Sequence, residues 1–420
     1  MRSRIQKIIP KSAFAKNVLT LMTGTTIAQA IPVAISPILA RIYTAEDFGV
    51  LALFVSVTTI IGSIVNGRYE LAIILPKEDE KARSLVGLCI LIAAVISLLL
   101  LFLILPFHSL IVEQLNNEAI SMWLYFIPLV VFLIGVFNAL NYYYSRKKQF
   151  NNIAQANVTK SIGLAGSQLF FPLIRSGAFG LVLGRIVSTV IAPVFLWFKI
   201  SKEEKVIFQM DKMKSVAKRH IDFPKYAMWA GLFNNLALYF NNLLIPIVYS
   251  MSVLGLFALV FRVLAMPFAL ISTSVGQVFF KEISDVKNAN QDAAKVIWKV
   301  VKKMGLISLF GFGLLFFISE ELFTFVFGEE WRLAGVYAKY LTPMFMIKFI
   351  VSPLTNVHSV FEKQKSSLFL QLLMFVLSVS SMLLAFLFKM NFEFFLILYS
   401  ALMTGFYILR LFVIFKIAKG

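Results

Sequence analysis

Acidic residues are scarce in this chain. Only 21 Asp and Glu stand against 40 Lys and Arg in 420 residues, and charged residues of both signs make up 15%. Soluble domains carry about a quarter charged residues, so a water-soluble globular fold is excluded. Cysteine is almost absent: Cys89 has no partner for an intrachain disulfide, and its place inside an apolar segment reads as a buried structural thiol. The three histidines, His108, His220 and His358, are far apart and mostly at loops, so they read as solvated or interfacial groups. No metal-ligand spacing, phosphate-cradling loop or paired-carboxylate motif occurs, which leaves enzyme chemistry without residues to perform it.

What the sequence has in abundance is long apolar runs. It is 59% hydrophobic, with a mean hydropathy of +0.84. A membrane-crossing helix needs about 20 mostly apolar residues. The runs predict an all-α polytopic membrane protein with twelve spans, at 17–40, 48–67, 85–105, 121–144, 153–173, 178–199, 223–248, 253–280, 304–320, 336–357, 366–388 and 392–415. Apolar residues continue past two assigned ends, at Leu71–Pro76 and Glu321–Phe327. With Lys199 and Lys225, at the ends of their spans, counted in the central basic stretch, thirty of the forty basic residues fall in alternate loops and the termini, four in the opposite loops and six inside spans. That asymmetry predicts both termini in the cytoplasm. It also removes the case for nucleic acid that a net charge of +19 would otherwise make. The loops on the outer side are short, with 106–120 and 321–335 the longest, so they hold no outer catalytic domain of a membrane glycosyltransferase or ligase. Arg2, Arg4, Lys7, Lys11 and Lys16 precede an apolar run with an Ala28-Gln29-Ala30 pattern, but the run continues to Leu39 and reads as an uncleaved first span. The stretch 281–303 alternates Ile283, Val286, Ile297 and Val300 with lysines, and fits either a surface helix or an extension of the neighbouring span.

The basic stretch Lys199–Lys225 divides two similar halves. IYTAEDFGVLAL (Ile42–Leu53) follows the first span on one side, and VYSMSVLGLFAL (Val248–Leu259) follows the first on the other. Both read [IV]-Y-[ST]-x4-G-[VL]-[LF]-A-L. Six spans per half insert both halves the same way up, which predicts parallel repeats related by an axis along the membrane normal. The expected organisation is a lobe over 1–200, a central basic cytoplasmic loop over 201–221 and a second lobe over 222–420.

Lys160, Arg185, Arg262, Lys339, Lys348 and Arg410 lie within the predicted spans. Six such cations facing lipid at the bilayer centre would cost roughly 15–20 kcal/mol. Lys339 and Arg410 are close enough to span ends to snorkel. Lys160, Arg185, Arg262 and Lys348 are left without an acidic residue in their own spans, which predicts a cavity for an anionic group; structural lysines paired with backbone carbonyls are the plainer alternative. In span 7, Asn234, Asn235, Asn241 and Asn242 form two i,i+7 pairs. They supply either a wet stripe suited to sugars or interhelical hydrogen bonds. Pro32, Pro37 and Pro246 predict bends in the first helix of each half. Glu70 and Asp222 are the acidic residues placed to couple an ion.

Three stretches resemble the O-antigen and polysaccharide flippases of the multidrug/oligosaccharidyl-lipid/polysaccharide (MOP) exporter superfamily. They are ILARIYTAEDFGVLALFVSVTTIIGSIVNGRYELAIILPK (Ile38–Lys77), Asp222-Phe223-Pro224, and FGEEWRLAGVYAKYLTPMFMIKFIVSPLTNVHSVFEKQK (Phe327–Lys365). The resemblance implies two six-helix lobes and a flippase without a cofactor. It implies an oligosaccharide linked by diphosphate to undecaprenol as substrate, with a polysaccharide polymerase and a chain-length regulator as partners. Arg68 and Glu70 match the family's R-Y-E-L-A-I stretch, and Lys348 falls where similar sequences show a basic residue. Membrane potential, protons or sodium would supply the energy. A cation-coupled multidrug exporter of the same superfamily, whose cavity should contain buried carboxylates, and a non-transporting scaffold for polysaccharide assembly are the competing readings. A peptidoglycan-precursor flippase would have two further spans.

Overall fold

A computed structural model describes residues 13–115, 117–200, 205–267, 271–289 and 291–419. Every regular element among them is helical. In chain order the longer helices are α1 (Ala13–Ala34), α2 (Ser36–Ile42), α3 (Ala45–Gly62), α4 (Asp79–Leu115), α5 (Ile127–Arg146), α6 (Phe150–Phe170), α7 (Phe179–Phe198), α8 (Met210–Arg219), α9 (Met228–Val248), α10 (Met251–Pro267), α11 (Thr273–Asn288), α12 (Ala293–Phe327), α13 (Arg332–Val351), α14 (Gln364–Leu387) and α15 (Phe392–Lys419). Nine described segments, the first running from α1 into α2, are long and apolar enough to cross a membrane. Three predicted spans fall short for visible reasons. α6 is diluted by Asn151, Asn152, Gln155, Asn157 and Lys160, α13 carries Arg332, Lys339 and Lys348, and α10 is described only as far as Pro267. The figure of twelve therefore rests on the sequence.

Several boundaries differ from expectation. The predicted span 253–280 falls on α10, described to Pro267, and on α11, which runs past its end to Asn288; 268–270 lie outside the described residues. The stretch 281–303 has no surface helix of its own. Its lysines ride on the end of α11 and the first turns of the 35-residue α12, where Ile283 and Ile297 are fully buried. Leu71–Pro76 belongs largely to a 3-10 turn over Tyr69–Ile74, and Glu321–Phe327 completes α12. The helix breaks at Ile35, between Pro32 and Pro37, whereas Pro246 sits in the last turn of an unbroken α9. Arg2, Arg4, Lys7, Lys11 and Lys202 lie outside the described residues.

The chain forms two compact units. The first comprises Met1–Ile35 and Phe54–Leu232; the second comprises Ser36–Leu53 and Phe233–Gly420. In the first, α6 packs on α1 and α7, and α4 packs on α5. Asn66 ties this core together by donating to the carbonyls of Cys89 and Gly135, both at 3.1 Å. Cys89 is completely buried, as its apolar setting predicts. The basic stretch after Lys199 is not a free loop over its described part. Met213 and Val216 of α8 are buried in the core beside Leu85 and Tyr69. Lys212 pairs with Glu80 at 2.5 Å, and Tyr69 donates to the Ala217 carbonyl at 3.2 Å.

In the second unit, α13 packs on α12, α10 and α15. The two repeat motifs meet here, because α2 and the first half of α3 belong to this unit. Two positions of the shared pattern, the hydroxyl residue and the glycine, do the same structural job in both copies. The hydroxyl residue starts a helix: Asp47 N–H donates to Thr44 Oγ1 at 3.2 Å, and Val253 N–H donates to Ser250 Oγ at 3.2 Å. The glycine allows a reciprocal crossing. A Cβ on Gly49 would fall onto the Met251 carbonyl oxygen, and one on Gly255 onto that of Ala45. Ala45 and Met251 occupy the same position of the repeat, four residues before each glycine. The two copies of the motif are thus packed on each other as near-equivalent surfaces, in the manner of small-residue helix contacts in membranes. Trp331 closes this region, with Nε1 donating to the buried Ala40 carbonyl at 2.8 Å and its ring edge-on to Phe48 at 5.1 Å.

Candidate functional site: cationic side chains in each unit

Arg68, Glu70, Lys160, Arg185 and Asp222 belong to the first unit; Arg262, Lys348, Asn234, Asn235, Asn241 and Asn242 belong to the second.

Arg68 and Glu70 sit where α3 gives way to the 3-10 turn. Gly67 and Arg68 both take the left-handed conformation, with φ of 58° and 62°. Glycine adopts this freely; arginine does so at a cost of about 1–2 kcal/mol. The strain points the guanidinium at Gly231 near the start of α9, where a Cβ would stand 3.0 Å from Arg68 Nε. That Nε is buried and makes no hydrogen bond. Glu70 is 2% exposed. Its Oε1 lies 3.6 Å from Arg68 Nη1, a charge pair but too long for a hydrogen bond. Its Oε2 is buried without any partner. Burial pushes the Glu70 carboxyl above its ordinary range, against a backbone hydrogen bond and the Arg68 charge. Tyr142 of α5 feels both charges, and Cys89 of α4 feels that of Glu70. The glutamate is therefore a buried carboxyl with one oxygen towards Arg68 and the other without a hydrogen-bond partner. Asp222 differs: it is exposed, at the head of a π-helical turn over Phe223–Ala227. That turn places Pro224 beside Gly67, so two of the three motif stretches meet in this unit.

Lys160 on α6 and Arg185 on α7 lie on helices that pack together, near enough for their charges to interact. Lys160 Nζ lies 5.1 Å from the Phe137 ring centroid on α5. No carboxylate pairs with Lys160 among the described residues. Two like charges on packed helices form a place that favours an anion.

In the second unit, Arg262 stands over Phe48 at 5.8 Å, and Lys348 over Phe345 at 5.1 Å. Phe345 is edge-on to Phe261 of α10 at 5.2 Å, and Phe48 is edge-on to Trp331, so each cation rests on its own aromatic pair. Asn241 takes the interhelical role: it is 4% exposed and accepts from Ser378 of α14 at 3.2 Å. Asn234, Asn235 and Asn242 are half-buried.

One expectation is corrected. His358 is neither solvated nor interfacial, being 2% exposed with both ring nitrogens lacking a hydrogen-bond partner. It was expected in a loop, but helical turns continue from Ser352 to Val360 and carry it inward. Burial and then the charge of Arg410 push its imidazole down to about 4. His108 is likewise tied down, to Ser121 and stacked on Tyr125 at 4.5 Å. Trp331 is the important residue that periodicity did not single out, although it stands in the third motif stretch as FGEEWR.

A family model described as "Polysaccharide biosynthesis protein" matches residues 38–335. No protein of curated function matches the chain. Among solved structures, the lipid II flippase MurJ in an inward closed conformation is similar over 94% of this chain and 86% of its own, with 13% identity and a TM-score of 0.70. An inward-facing multidrug-resistance MATE transporter of the MOP superfamily is similar over 95% and 93%, with 12% identity and a TM-score of 0.66. A MOP-superfamily transporter from Pyrococcus furiosus is similar over 96% of both chains, with 12% identity and a TM-score of 0.60. These likenesses establish the fold as that of MOP transporters.

Proposed function

Because the chain belongs to the polysaccharide biosynthesis protein family, we propose that it is a flippase for an undecaprenyl-diphosphate-linked oligosaccharide. It would carry the repeat unit of an O-antigen, capsule or exopolysaccharide to the outer leaflet of a bacterial inner membrane. The observation that carries this reading is the Lys160–Arg185 pair of like charges on packed α6 and α7. Arg262 over Phe48 and Lys348 over Phe345 add to it. A scaffold gains nothing from such charges, whereas a diphosphate repays their desolvation, with arginine suited to bidentate contact. In this reading the cations meet the head group first from one side of the membrane and then from the other, while the polyprenyl chain stays in lipid. Asn234, Asn235 and Asn242 would face the sugar; Asn241 is already engaged with Ser378. Polymerase and chain-length regulator would receive the product.

The energy source follows from the charge of the cargo. A diphosphate head with about two negative charges moves outward downhill by about 4–5 kcal/mol at 100 mV, interior negative. Arg68 would bind the phosphates when Glu70 is protonated, so Glu70 is the group we assign to a coupled proton or sodium ion. Asp222, exposed to solvent, is the weaker candidate. The buried Glu70 is also the feature that a cation-coupled multidrug exporter would share, and cargo separates the two readings. The test is complementation of a strain lacking the gene. Arg185→Ala and Arg262→Ala should abolish surface polysaccharide at normal membrane abundance, and Arg→Lys should retain part of it. Normal polysaccharide from both alanine variants would refute the assignment.

A further inference from the structure

Three helices of the second unit frame a groove of about 480 Å³. Phe316 comes from α12, Lys339, Tyr340 and Pro343 from α13, and Ile397 and Ser400 from α15. Pro343 and Ile397 are exposed, so the groove opens sideways on a helical surface that is otherwise apolar. Two polar groups in it have no hydrogen-bond or ion-pair partner among the described residues. Lys339 is exposed and forms no ion pair among the described residues; its Nζ lies 5.5 Å from the Phe316 ring centroid. Ser400 is 3% exposed, and its buried Oγ makes no hydrogen bond. A buried hydroxyl without a partner costs about 1–3 kcal/mol, so both groups point to something that occupies the groove.

The setting of the groove identifies that occupant. Tyr340, beside Lys339, donates to Glu393 near the start of α15 at 3.4 Å. Along α15 the lined stretch runs from Ile397 to Thr404, about 10 Å of helix, which fits within one leaflet of a bilayer core of about 30 Å. The groove therefore presents one exposed cation beside apolar walls on a helical surface fit to face lipid. Lysine presents a compact point charge with no fork for bidentate binding. That suits the single negative charge of a phosphodiester better than a diphosphate.

We propose that this groove is a binding site for one anionic phospholipid, with its phosphate on Lys339, an ester oxygen on Ser400 and an acyl chain along Phe316, Pro343 and Ile397. The leaflet is the one at the α12–α13 turn. The site is separate from the cations assigned to the cargo, and does not depend on what that cargo is.

The full-length protein in phosphatidylcholine nanodiscs, titrated with phosphatidylglycerol and examined by native mass spectrometry, tests the site. The wild type should retain one phosphatidylglycerol in preference to phosphatidylcholine. Lys339→Gln should weaken that binding about fivefold, corresponding to about 1 kcal/mol for one lysine at an anionic surface. Lys339→Arg should restore most of it, and Ser400→Leu, which fills the groove, should expel the lipid. Unchanged phosphatidylglycerol binding by both Lys339→Gln and Ser400→Leu would overturn the proposal, reducing the lipid to a member of the annulus. Equal binding of phosphatidylcholine, or displacement of phosphatidylglycerol by an equimolar polyprenyl monophosphate, would overturn it as well.

Discussion

Gly255→Ala tests the reciprocal crossing of the two repeat motifs. The added methyl would stand 2.7 Å from the Ala45 carbonyl carbon and 2.8 Å from the Gly49 nitrogen, nearer still to the Ala45 oxygen. All three are backbone atoms, so no side chain can swing aside. The helices have to part by roughly 1 Å, and a gap of that size forfeits a quarter to a half of each dispersion contact along the seam. Overpacking of this kind costs about 1–3 kcal/mol. Gly49→Ala pushes on the Met251 carbonyl from the equivalent position and should cost about the same. Because either methyl opens the same seam, the double variant should fall short of additivity: two losses of about 2 kcal/mol should give a total nearer 2 than 4. Gly311→Ala and Gly405→Ala serve as controls. No atom lies within 4 Å of either added methyl, so helix propensity alone should stabilise by about 0.5–1 kcal/mol. Equilibrium unfolding of the purified protein in mixed micelles reads all five. Neutral seam variants, or strictly additive losses at Gly49 and Gly255, would refute the reciprocal crossing.

Three further outcomes follow from buried polar groups. Trp331→Phe keeps a ring against Phe48 but loses the bond to the Ala40 carbonyl, and should cost about 1–3 kcal/mol in the same unfolding assay. His358 is held neutral in the folded state, with its imidazole pushed from an ordinary value near 6.5 down to about 4; the unfolded chain binds the proton first, so stability should fall as pH drops from about 6.5 towards 4, and His358→Phe should flatten that slope. Glu70 has the opposite sign: its carboxyl is raised, so its contribution is present below about 4.5 and is lost as pH rises through the folded value, and melting curves of Glu70→Gln should lack that loss.

Much of this fold is legible in the sequence because membrane helices announce themselves by length and apolarity. The repeat was legible too, since a crossing that needs a glycine on each side leaves the same pattern twice. Boundaries were less so. Nothing in an apolar run marks where a helix continues past the bilayer, which is how α4 and α12 came to exceed their predicted spans. The cations at Lys160 and Arg185 could be picked out singly, because any charge in an apolar helix stands out, but their approach to each other is tertiary. Asn241 shows the limit of periodicity: its helical face is shared with Asn234, yet Ser378 on a distant helix decides its role. His358 was misplaced for the same reason, since its burial is made by neighbours far along the chain. Trp331 lay in view within a motif, but its partner carbonyl at Ala40 is 291 residues away.

The central claim is that the protein moves an anionic lipid-linked sugar. The direct measurement uses the purified protein in sealed vesicles that contain an undecaprenyl-diphosphate oligosaccharide, with a potassium-diffusion potential and no pH or sodium gradient. Appearance of the sugar on the far leaflet should depend on the protein, rise with a potential of the sign that drives anions outward, fall with the reverse and disappear in Arg185→Ala. Vesicles in which the sugar stays on its original leaflet at every potential, and equally when a pH or sodium gradient is imposed, would contradict the claim.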